Sequence, residues 1–198
     1  TVLRLSDVAI RANQTWDRED SFGAGLEIRQ SASVELTRGV LQSNEHAGVY
    51  LHGDASAVFT DVSVIDSQPR GGDLVGGYGL VAEYGATAMV LRGLFEGNYH
   101  GGILGSIDGQ VHLEDSAILD TRPEQIELTS GWGVGVYLGA HLVGVRVLIA
   151  GNREVGVYTS ADGAMVQLED SAISATKPQE SGMFYGAGIE VTDGARFE

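Results

Sequence analysis

The chain has 198 residues, 43% of them hydrophobic, enough for one domain with a substantial core, and sets 12 Lys and Arg against 27 Asp and Glu for a net charge of -15. A surface of that sign repels phosphate backbones and anionic headgroups, which excludes nucleic acid and acidic membranes as partners. With no cysteine there is neither a disulfide framework nor a thiolate metal site, and no apolar run is long enough to cross a bilayer as a helix.

The predicted elements, in chain order, are short strands that each begin at a glycine: "GLEI" at 25, "GVYL" at 48, "GLVA" at 79, "GILG" at 102, "GVYL" at 135, "GVYT" at 156 and "GIEV" at 188. Short and long spacings alternate, so two units together span about 54 residues. Within each unit β-branched and aliphatic residues recur at period two and are broken by Gly, Asp-Gly or Asn, with no helical periodicity. Units of this size cannot bury a face alone and must stack, which predicts a solenoid of β-coils. The chain starts at Thr1 and stops mid-repeat at Glu198. It is therefore read as a single domain over 1–198, a fragment of a longer chain.

One polar residue per coil sets the register: Asn13, Asn44, Ser67, Asn98, Thr121, Asn152 and Thr176. Three residues earlier stand Ile10, Leu41, Val64, Phe95, Ile118, Ile149 and Ile173; ten earlier stand Leu3, Val34, Ala57, Ala88, Val111, Leu142 and Val166. Both columns are apolar throughout, as inward-facing positions must be. The polar column itself is expected to satisfy turn backbone groups and to bond along the axis.

Six residues before the polar column the signs alternate without exception: Asp7, Arg38, Asp61, Arg92, Asp115, Arg146 and Asp170. Strands about 4.8 Å apart would stack like charges if the residue were the same in every coil. Alternation places each charge between two opposite ones and predicts an outward salt-bridge ladder running up one sheet. Asp54, Asp108 and Asp162 recur every 54 residues, Asp193-Gly194 repeats the pattern, and all four read as turn residues.

The coil pattern, as in "RGLFEGNYHGGIL" (92 to 104) and "RVLIAGNREVGVYTS" (146 to 160), resembles the parallel β-helix repeat of the pectin-lyase-like superfamily over essentially the whole chain. That resemblance implies an all-β, right-handed, single-stranded parallel β-helix, here of about eight coils alternating short and long, with three sheets per turn. It also implies an extracellular or cell-surface location. Members include polysaccharide lyases and glycoside hydrolases, but also phage tailspikes, adhesins and other proteins without catalysis. Of the polygalacturonase-like signatures only His100-Gly101 is present, preceded by Tyr99; no Asp-Asp pair and no Arg-x-Lys occurs. The calcium-binding glycine-rich nonapeptide is missing too, so no cofactor is expected and Ca2+ has no motif behind it.

Every second coil carries an insertion after the polar column: "NQTWDREDSFGAG" (13 to 25), "SQPRGGDLVGGYG" (67 to 79), "TRPEQIELTSGWGVG" (121 to 135) and "TKPQESGMFYGAG" (176 to 188). Each ends in glycines around one aromatic: Phe22, Tyr78, Trp132 and Tyr185. These four are expected on one flank of the solenoid, two coils or about 9.6 Å apart, either folded back on their own loops or forming a row of stacking platforms for a glycan. The five histidines fall at scattered offsets and are expected to be surface or turn residues. The expected function is a non-catalytic scaffold or binding module with a polysaccharide partner, whose coils would also stack end to end. The alternative is a lyase or glycoside hydrolase acting on an acidic polysaccharide.

Overall fold

The computed structural model describes residues 2–14, 23–71, 74–182 and 186–198. Every paired strand in it is parallel to its neighbours, and no helix occurs among the described residues. Each coil has three legs. One leg forms a seven-stranded sheet: Leu26–Arg29, Ala47–His52, Tyr78–Glu83, Gly101–Ser106, Trp132–Tyr137, Val155–Ser160 and Ala187–Thr192. The other two legs share a twelve-stranded sheet. In the early coils they are one long strand, as in Ser33–Gln42 and Ser56–Ile65, and later they separate, as in Gln110–Glu114 followed by Ala117–Leu119. This is a parallel β-helix.

The apolar columns point inward as expected. Leu41, Val64, Ile118 and Ile149 are fully buried, as are Ala88, Leu142 and Val166. Phe59 and Phe95 are the bulkiest side chains of this core. Each buried side chain of that size contributes about 1.5–3 kcal/mol through lost apolar exposure.

The polar column lies inside the coil, not at its surface: Asn44, Asn98 and Asn152 are 0–1% exposed. Each asparagine grips the coil before it. The Asn98 Oδ1 accepts from the Ser67 N–H at 3.0 Å, and its Nδ2 donates to the Val64 carbonyl at 3.0 Å. Asn152 repeats both bonds on Thr121 and Ile118, and Asn44 on Asn13 and Ile10. The expectation of bonds to backbone is met. Side chain to side chain bonding along the column is seen where the Asn13 Nδ2 donates to the Asn44 Oδ1 at 2.8 Å.

The alternating Asp and Arg column departs from its expected setting. All seven residues have left-handed backbone, with φ from 49° at Asp170 to 56° at Asp7. They form the bend at which one leg turns into the next, within the long strands of the first coils at Asp7, Arg38 and Asp61 and between separate strands in the later coils. Branching at Cβ is disfavoured in that conformation, which explains why the column carries Asp and unbranched Arg. The charges also resolve into pairs: Arg38 with Asp7 at 2.6 Å, Arg92 with Asp61 at 2.5 Å and Arg146 with Asp115 at 2.5 Å. Between one pair and the next the attraction acts through space.

A second corner uses the residue before the polar column, left-handed in every coil from Ala12 to Ala175. The third uses two consecutive left-handed residues, such as Gly53-Asp54, Leu138-Gly139 and Asp193-Gly194, the backbone of a type I′ turn.

Candidate functional site

The outer face of the seven-stranded sheet carries the expected aromatics that are described. Tyr78 and Trp132 open their strands and stand in one column, two coils apart, with Gly101 between them. They are therefore strand residues, although the insertions that precede them read as loops. Phe22 and Tyr185 lie outside the described residues.

A flat-lying ring is wider than the strand spacing, so it must overhang the next coil. Gly101 provides that space, because a Cβ there would sit 3.1 Å from the Tyr78 ring. Gly135 makes room on the strand of Trp132 and Tyr137 themselves, where a Cβ would sit 3.4 Å and 3.1 Å from their rings.

The coils with a small residue in this column fill the gap from the position before it. His46 precedes Ala47 and His100 precedes Gly101, each in left-handed backbone that swings its ring onto the sheet. The His100 ring lies 4.8 Å from Tyr78 and meets Trp132 edge-on at 5.7 Å. Trp132 then stacks nearly parallel on Tyr158 at 5.3 Å, and Tyr137 touches both. In the other direction the belt runs through His46, Tyr50 and His52 to Tyr84. Nine rings thus form one continuous strip. Of the five histidines, His46 and His100 do sit in turns, and together with His52 they place their rings in the strip. Their common offset, with His46, His100 and Glu154 each two residues after the polar column, was the available signal.

Burial sets the charge state of the strip. It pushes the Tyr78 and Tyr137 phenols above their ordinary value, and at Tyr50 a hydrogen bond to Glu83 adds to it. The His100 imidazole is held below the ordinary histidine value by burial, against a weaker upward pull from Glu124. Tyr50, Tyr78, Tyr137 and His100 are accordingly neutral at physiological pH. The Trp132 Nε1, the His100 Nδ1 and the Tyr137 hydroxyl are buried without a hydrogen-bond partner. Orphaned polar groups of this kind are uncommon in folded proteins, and three of them meet in this one strip.

Tyr99, in the same turn as His100, has a separate role. The Arg122 guanidinium lies 5.2 Å from its ring centroid and bonds the Asp66 carboxylate at 2.8 Å. Lys177 repeats the reach with Asp120 at 2.8 Å, again bridging from the second coil on. Beside Arg122 the insertion loops border an open hollow of about 490 Å³, lined by Pro123, Glu124, Leu128 and Glu180. Among the described residues no three His, Asp or Glu side chains converge on a site for a metal ion.

Parallel coils, three corners of left-handed residues and a buried asparagine column define a solenoid of the β-helix class. The chain matches the family model described as right handed beta helix region over residues 24–198. It belongs to that family, and its coil is right-handed. Neither curated proteins nor solved structures gave a match.

Proposed function

We propose that this β-helix is an extracellular or cell-surface binding module that holds an extended glycan along the aromatic strip of its seven-stranded sheet. The strip itself carries the reading. The apolar faces of sugar rings stack on aromatic side chains, and Tyr78, Trp132 and Tyr158 are half-buried rings on the outer face of the seven-stranded sheet. The coils rise by about 4.8 Å each, close to the length of one pyranose, so a chain running along the axis meets a similar surface at every residue. The likeness of the coils to the pectin-lyase-like superfamily is in keeping with a carbohydrate partner. Binding without turnover is favoured because the strip is built from aromatic rings and the Glu83 carboxylate beside it is engaged by the Tyr50 hydroxyl.

The test is titration with soluble oligosaccharides of neutral, acidic and basic classes, followed by tryptophan fluorescence. Binding is expected to change the Trp132 emission and to be lost in Trp132→Ala, but kept in Met89→Ala on the opposite sheet. Absence of any change with every class would remove the proposal.

A further inference from the structure

We infer that the glycan held by this strip is cationic, a polymer of amino sugars with free amines; this rests on the reading of the strip as a glycan platform. The charged residues on the seven strands are Glu27, Glu83 and Glu190 against a single Arg29. Arg29 is already bound to Glu27. Among the described residues of the bordering loops, Arg122 is held by Asp66, Arg153 by Glu180 and Lys177 by Asp120, each at 2.8 Å. A carboxylated or sulfated sugar would therefore lie over acids with its own charge uncompensated, in the field of a chain of net charge -15.

An ammonium group meets the opposite situation. Glu27 is the register partner of Tyr50, and Glu190 is the register partner of Tyr158. At one end of the strip Glu190 thus stands on the strand next to Tyr158, whereas at the other Glu27 shares its charge with Arg29. Ring faces attract cations within about 6 Å of their centroids, so the same amine gains from ring and carboxylate together. Glu190 is exposed and open to a ligand. A neutral sugar uses the rings alone, and an acidic one is repelled.

The experiment compares three soluble hexasaccharides by calorimetry and tryptophan fluorescence at low salt: β-1,4-linked glucosamine, its fully N-acetylated counterpart and oligogalacturonate. The glucosamine hexamer is expected to bind roughly tenfold tighter than the acetylated one, and to lose most of that advantage in Glu190→Gln and at high salt, and less of it in Glu27→Gln. Both variants alter surface carboxylates, and an unchanged melting temperature checks that they fold. If the acetylated hexamer binds equally well, or oligogalacturonate binds best, the cationic assignment fails while the platform stands. If none of the three perturbs Trp132, the platform fails with it.

Discussion

Inside the seven-stranded sheet the column from Val49 through Leu80, Ile103 and Val134 to Val157 holds a fully buried aliphatic side chain in every coil. Outside, the column Ala47, Tyr78, Gly101, Trp132 and Val155 alternates large with small over the coils that carry the rings. The two columns sit on the same strands and obey different periods. Aliphatic groups fit within one strand spacing and can repeat each coil, whereas a flat ring covers two. The two-coil repeat of about 54 residues is thus matched on the outer face by ring size, and it leaves alternate positions that His46 and His100 occupy from the preceding turn. Inner columns are uniform because packing tolerates little else. The outer face could diverge from coil to coil.

The largest effect should follow from breaking the inner column. Ile103 is completely buried among other aliphatics, so Ile103→Ala removes apolar contact and leaves a cavity, at about 2–5 kcal/mol. Chemical denaturation should show it as a lower midpoint with an unchanged slope. Next comes Asn98→Ala, which strands the Ser67 N–H and the Val64 carbonyl inside the coil, at about 1–3 kcal/mol. Asn98→Asp should be little better, because a carboxylate cannot donate to Val64.

A smaller effect on the outer face carries a sign that distinguishes it from the core. Burial between Tyr78 and Trp132 lowers the His100 value below that of the unfolded chain. Between the lowered value and the ordinary one, near pH 6.5, the unfolded chain therefore binds more protons than the folded one, and stability falls as pH falls through that window. Above it stability no longer changes with pH through this group. Melting temperature followed from about pH 7.5 to pH 5.5 should decline in the parent and decline less in His100→Gln. Equal slopes would place the imidazole in a solvated setting and break the contrast between strip and surface.

The inner columns were legible because their chemistry repeats: a wrong register would have put a charge or a proline into a position that reads apolar in all seven coils. The alternating Asp and Arg were legible as a charge pattern, but their left-handed backbone was not, since Arg and Asp have no side-chain feature that demands it. The strip was half legible. Tyr78 and Trp132 stood out at equal spacing, yet Tyr50, Tyr137 and Tyr158 occur at positions where other coils carry Val81, Ser106 or Leu104, and only the three-dimensional register brings them together. His100 was not singled out among five histidines at scattered offsets, although it shares its offset with His46 and Glu154. That shared offset was the mark of a common position, and the position faces the strip.

The smallest expected effect belongs to the corner pairs, which set the scale for what exposed charge does here. Arg92 donates to both oxygens of Asp61, at 2.5 Å and 3.0 Å, with both side chains largely in water. Its hydrogen bonds hold the Asp61 carboxyl below the ordinary aspartate value. A carboxyl lowered in the folded state contributes stability that is present above its unfolded value and is lost as pH falls through its folded one. Arg92→Gln should therefore melt slightly below the parent at neutral pH, and the gap should close as acid protonates Asp61. Added salt should narrow it as well. Glutamine keeps an unbranched stem at the left-handed corner, so a gap that persists in both acid and salt would assign the arginine a backbone role and leave the pairing with none.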